Sequence, residues 1–156
     1  MRFLLSLIFV TLPYICLALD IGNDVEIESK TLKVFFDENR AEFLDDIVMK
    51  SGDLRIYADK LIVVFKEETI DVAKFSNNVK IKFADQIAKG DMAEYIMSKS
   101  SVILSGDVRL LQNSNEIIAD KLIYNIKTKQ VQLVGKHTDA NKKRRVKAKF
   151  NSNLKK

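Results

Sequence analysis

A seven-residue phrase returns in this chain, and its return limits the possible fold more than any other feature. Ile56-Tyr57-Ala58-Asp59-Lys60-Leu61-Ile62 recurs 61 residues later as Ile117-Ile118-Ala119-Asp120-Lys121-Leu122-Ile123. A degenerate copy, Ala88 to Tyr95, lies between them, so the matching aspartates fall at Asp59, Asp91 and Asp120. A second phrase follows each copy: Phe75-Ser76-Asn77-Asn78-Val79, Leu104-Ser105-Gly106-Asp107-Val108, then Leu133-Val134-Gly135, with an earlier version at Phe43-Leu44-Asp45-Asp46-Ile47. The chain is therefore built from units of roughly 30 residues. A unit that short cannot bury its apolar face alone, so neighbours must stack to make the core.

Within the units, apolar and polar residues alternate with period two. Val79-Lys80-Ile81-Lys82-Phe83 does so without a fault, as do Val25-Glu26-Ile27, Val108-Arg109-Leu110 and Val146-Lys147-Ala148-Lys149-Phe150. These runs predict half-buried strands, the last spanning Val146 to Phe150. Turn signals are expected at Lys50-Ser51-Gly52-Asp53, Ser76-Asn77-Asn78, Lys89-Gly90-Asp91, Ser105-Gly106-Asp107 and Gln112-Asn113-Ser114-Asn115. No sustained helical period competes with them. The fold class is all-β.

Composition removes several function classes. With one His, one Cys and no Trp, the chain lacks the ligand sets of most zinc and heme sites, and no metal or cofactor is expected. His137 reads as a lone surface-turn residue. No Ser sits in a Gly-x-Ser-x-Gly setting with a His to activate it. The recurring Asp59, Asp91 and Asp120 read as structural, because a repeat places its members in similar surroundings, whereas acid–base pairs need different ones. Catalytic residues are therefore not expected, nor is an enzyme.

The first 18 residues read as an export signal: Arg2, an apolar stretch from Phe3 to Leu12, Pro13, then Cys16-Leu17-Ala18 with small residues placed for cleavage after Ala18. A retained anchor is the alternative. A lipid on Cys16 fits poorly, because Ile15 replaces the small residue such a signal wants. Residues 19–150 then form one domain and 151–156 a basic C-terminal tail. The net charge of +5 is unevenly spread. Lys136 to Lys156 holds nine basic residues against one Asp, while Asp20 to Gly135 holds 16 basic against 20 acidic. A mildly acidic body with a basic end does not suit nucleic acid, which is not expected as a partner. The run Lys142-Lys143-Arg144-Arg145 reads as a solvated tail or a site for acidic lipid phosphates.

The order and spacing of these phrases resemble the OstA-like family. The resemblance rests on Ile27-Glu28-Ser29, Ser51-Gly52 leading into Ile56-x-Ala58-Asp59-Lys60, Leu104-Ser105-Gly106-Asp107-Val108 and Ile118-x-Asp120-Lys121-Leu122-x-Tyr124. It covers about residues 25–150. Where the family writes Gly-Asn-Val, this chain has Asp45-Asp46-Ile47 and Asn77-Asn78-Val79; Asn and Asp are the non-glycine residues best able to take positive φ.

The resemblance implies an open β-jellyroll of stacked antiparallel strands, V-shaped in section, in the periplasm. It implies a carrier for lipopolysaccharide, with the lipid A acyl chains in the apolar interior. It also implies head-to-tail self-association, and pairing with jellyroll subunits of an inner-membrane transporter and an outer-membrane assembly complex. Parity and repeat equivalence then name the candidate groove: Val25, Ile27, Leu61, Val63, Phe65, Val79, Ile81, Phe83, Tyr95, Met97, Leu122, Tyr124 and Ile126, with Ala93 beside Tyr95. Val25, Ile27, Val146, Ala148 and Phe150 are the expected partner contacts on the two terminal edges. Two rival readings remain at this point: a membrane-anchored sister subunit of the same machine, and a ligand-free structural β-repeat protein.

Overall fold

The structure, a computed structural model, describes residues 24–135, 137–138, 142–143 and 145–150. Six long strands carry it: β3 (Arg40–Ser51), β4 (Leu54–Lys66), β5 (Thr69–Phe83), β6 (Gln86–Ile96), β7 (Ser101–Gln112) and β8 (Asn115–Asn125). They pair antiparallel in sequence order within one sheet of ten strands. Tight turns with left-handed residues join them. Gly52 stands at φ 55°, Glu67 and Glu68 at 50° and 65°, Ala84 at 48° and Asn113 at 53°. A short 3-10 turn, Met97–Lys99, ends on a left-handed Ser100 and joins β6 to β7.

Every long strand changes direction near its middle. β3 inserts one more residue than β4 between the pairs Leu44↔Lys60 and Ile47↔Ala58. β5 does the same against β6 around Asn77-Asn78, and β7 against β8 around Gly106-Asp107. In each case the inserted segment contains two successive left-handed residues: Asp45-Asp46, Asn77-Asn78 and Gly106-Asp107. An extra residue in one strand of an antiparallel pair bends it and sharpens its twist. The bends line up from strand to strand and divide the sheet into two layers. Layer one holds Ile47–Ser51 of β3 and its neighbours; layer two holds Arg40–Leu44 and its neighbours.

Three expected turns therefore prove to lie mid-strand, at the bends. Asn77-Asn78 and Gly106-Asp107 take the positive φ expected of turn residues but stay inside β5 and β7. Lys89-Gly90-Asp91 is likewise inside β6, opposite a bend. Of the expected turns, Gly52-Asp53 and Asn113-Ser114 do reverse the chain. Gly90 is required by close approach, since a Cβ there would sit 2.8 Å from Leu104 Cδ1.

Each terminal edge is broken in two. β1 (Val25–Glu28) pairs with the layer-one half of β3, and β2 (Thr31–Phe35) with the layer-two half. The break follows the bend: Lys30 N–H donates to Asp45 O at 3.1 Å, and the Lys30 ammonium pairs with Asp46. At the other end β9 (Val131–Val134) pairs with the layer-two half of β8, and β12 (Lys147–Lys149) with the layer-one half. The last strand is thus shorter than expected, with Val146 and Phe150 flanking it. His137 is not in a turn; His137–Thr138, β10, pairs with Lys142–Lys143, β11, in a two-stranded ribbon, so part of the basic run is ladder, not tail. Residues 1–18 and 151–156 lie outside the described residues.

The two layers face each other over one apolar cluster containing residues of both. The Phe83 ring, from layer one, stacks on the Tyr124 ring of layer two with centroids 4.5 Å apart and planes 23° from parallel.

Candidate functional site

The inward faces of the two layers are continuous apolar rows. In layer one, Ile27, Met49, Ile56, Ile81, Ala88, Leu110, Ile117 and Ala148 lie opposite one another across eight strands. In layer two, Leu32, Phe43, Leu61, Phe75, Ala93, Leu104, Leu122 and Leu133 do the same. A parallel row runs from Val34 through Ala41, Val63, Ala73, Tyr95, Val102 and Tyr124 to Val131. Period two puts these side chains on one face, and the bend turns both faces toward each other. Among the described residues, Ser51 is the one buried polar side chain, and its hydroxyl makes no hydrogen bond.

The structure brings together all the residues expected on this face. Leu61, Val63, Val79, Ile81, Phe83, Tyr95, Leu122, Tyr124 and Ile126 are buried in the cluster, with Ala93. Val25, Ile27, Phe65 and Met97 pack against it half-buried. Tyr95 points its hydroxyl at Met97 Sδ, 3.4 Å away. On the terminal edges, Val25 and Ile27 pair with Ser51 and Met49, while Val146, Ala148 and Phe150 are exposed.

Among the described residues the middle of the interior is buried, and its apolar surface is most exposed toward the β2 edge. Leu32 is 53% exposed and Val34 47%, at the open end of their rows. Beside them a cavity of about 620 Å³ is lined by Val34, Phe35, Phe36, Arg40 and Phe65, with Glu67 and Glu68 at its rim. The Arg40 guanidinium lies over the Phe35 ring at 4.3 Å and is paired with Glu38 and Glu42. Sequence reasoning missed Leu32 and Val34. Their signal was the alternation Leu32-Lys33-Val34, which sits outside the repeated phrases that drew attention.

Residues 26–130 match the family model described as the LptA/(LptD N-terminal domain) LPS transport protein. The chain belongs to this family. The relatives include the lipopolysaccharide export system protein LptA of Escherichia coli K12, 24% identical over 135 residues, covering 81% of this chain and 73% of that protein. The protein of the same name from Shigella flexneri matches at the same level. Among solved structures, a similar chain is LptH, the LptA-homologous periplasmic component of the lipopolysaccharide transport device of Pseudomonas aeruginosa. Its TM-score is 0.69 at 13% identity, covering 83% of this chain and 96% of that one, which shows a shared fold. The LptA/LptD N-terminal family match spans the strands from β1 to β8 and so includes all three bends.

Proposed function

We propose that this chain is a periplasmic carrier that moves lipopolysaccharide by sheltering lipid A acyl chains between its two layers. Transport of lipopolysaccharide is the activity of the family it belongs to. The observation that carries the mechanism is the pair of inward apolar faces, continuous across eight strands and exposed at the edges. An acyl chain leaves a membrane only where another dry surface replaces it, at ~0.8 kcal/mol per buried methylene. Rows of near-equivalent apolar side chains let a chain slide without giving up all its burial at one step. Because the centre is packed, lipid entry requires the layers to part, and the Phe83–Tyr124 ring contact is among the contacts that must yield.

The same reading takes residues 1–18 as a cleaved export signal. It takes the two broken edges as the places where copies of this chain, or related jellyrolls of the inner- and outer-membrane machinery, pair end to end. Unpaired N–H and C=O groups at an edge strand favour such addition.

Photocrosslinking tests the lipid path. A photoreactive residue replacing Leu32 or Val34 should crosslink to lipopolysaccharide, and one replacing the intervening Lys33, which faces the opposite side, should not. Equal labelling at Leu32 and Lys33, or none at any inward position, would remove the interior from the path.

A further inference from the structure

The outward face of layer one sets like charges side by side across neighbouring strands. On layer one, Lys80 of β5 stands directly opposite Lys89 of β6, and Lys89 directly opposite Arg109 of β7. Lys82 lies on the same face of β5, and Lys147 and Lys149 of β12 continue the face beyond β8. Like charges directly opposite each other in a ladder destabilise a sheet. Layer one does hold opposite-sign pairs, Lys50 with Glu26 and Glu28 at the β1 edge and Arg109 with Glu116, but among the described residues no carboxylate pairs with Lys80, Lys82 or Lys89. Stability alone does not account for the layer-one arrangement.

These cations are available. Lys82, Lys89, Arg109, Lys147 and Lys149 are exposed and Lys80 is half-buried. Arg109 is paired with Glu116 at 3.2 Å. Lys80, Lys82 and Lys89 make no ion pair among the described residues; the first two lean over the Tyr57 ring at 4.6 and 5.5 Å. Lys80 and Lys89 line an open hollow of about 560 Å³ beside the bends. The carboxylates on its wall, Asp46 and Asp59, are engaged by Lys30 and Asn78.

We propose that the outward face of layer one docks on an anionic lipid surface, its lysines meeting phosphate-bearing headgroups. Strands about 4.8 Å apart spread the cations over roughly 20 Å from β5 to β12. A single phosphate calls for donors that converge on one point, whereas these stand side by side along a sheet. Such spacing complements a plane of charges. Single-stranded nucleic acid would need free aromatic platforms, and Tyr57 is covered by its two lysines. The face points away from the interior, so docking leaves the lipid path unobstructed.

Co-sedimentation of the full chain with vesicles of phosphatidylcholine, with and without phosphatidylglycerol, tests this. Binding should require phosphatidylglycerol and disappear at high salt. The triple variant K80Q/K82Q/K89Q should bind roughly 100-fold more weakly. Its denaturation midpoint should stay close to wild type, since relief of like-charge repulsion offsets loss of the Lys80 and Lys82 contacts with the Tyr57 ring. K80R/K82R/K89R, which keeps the charge, should bind as wild type, and so should K33Q/K60Q/K121Q on the opposite outward face. Equal binding to phosphatidylcholine alone would overturn the proposal in favour of apolar contact. A glutamine triple variant that binds normally would overturn it in favour of the basic C-terminal end. Loss of binding in the arginine variant would show that charge is not the determinant. Displacement by inorganic phosphate at matched ionic strength would reduce the face to a discrete anion site and overturn surface docking.

Discussion

Backbone conformation at single residues decides where this sheet bends. Gly106 stands at φ +81°, and a Cβ built there would lie 2.2 Å from Asp91 Oδ2 and 2.7 Å from Asp91 Cβ. Gly106→Ala therefore combines a left-handed alanine, about 1–2 kcal/mol, with a steric clash; the expected loss is about 2–4 kcal/mol in urea denaturation. Pairing it with Asp91→Gly should recover the steric part and leave the backbone part. If Gly106→Ala unfolds at the wild-type midpoint, the bend is not held by this contact. The Asp45-Asp46 and Asn77-Asn78 pairs show what was and was not legible. Their capacity for positive φ was readable from residue type and is realised in the structure. That they bend a strand instead of reversing it was not, because a turn and a bulge place the same demand on φ. Only the pairing partners across the sheet distinguish the two.

Strands were legible where alternation was clean and became uncertain where pairing alone defines them. Val79 to Phe83 follows its predicted inward and outward parity residue by residue. Val146 to Phe150 alternates equally well, yet only Lys147–Lys149 finds a partner, in the layer-one half of β8. The terminal strands are short and depend on side-chain pins. Lys50 of β3 holds β1 through Glu28, and through Glu26 at 3.7 Å. The hydrogen bond from Lys50, and then its charge, hold the Glu28 carboxyl below its ordinary range, and the same hydrogen bond raises Lys50. A depressed carboxylate contributes stability that is present above its unfolded pKa, about 4.3, and lost as pH falls through the lower folded value. Amide exchange of β1 should therefore accelerate relative to β4 as pH drops below about 4, once corrected for intrinsic rates. Glu28→Gln should remove that dependence. A wild-type β1 that keeps its protection through this range would show that backbone pairing alone suffices.

The whole molecule is a single core shared by two layers, and in the proposed mechanism its stability and its cargo path draw on the same side chains. This tension gives a prediction with opposite signs. Phe83→Leu removes the ring stack with Tyr124 while keeping an apolar side chain, and should lower stability by about 1–2 kcal/mol. If the layers must part for lipid to enter, the same change should speed uptake of fluorescent lipopolysaccharide in stopped-flow mixing. Slower or unchanged uptake at reduced stability would argue against parting at this contact. The repeat made the stacked architecture legible at this scale. It did not reveal how tightly the centre closes, since alternating apolar residues are equally compatible with an open trough and a filled core.

The broken edges have a consequence for selectivity. Each end of the molecule presents two short ledges, β1 with β2 or β12 with β9, set in different planes. A straight extended segment can lie along one ledge but not both, so it gains only half the available ladder. Full engagement requires a counterpart folded at the same corner. In the end-to-end pairing proposed above, each end would then favour protomers with a matching crease over fibrils and flat sheets.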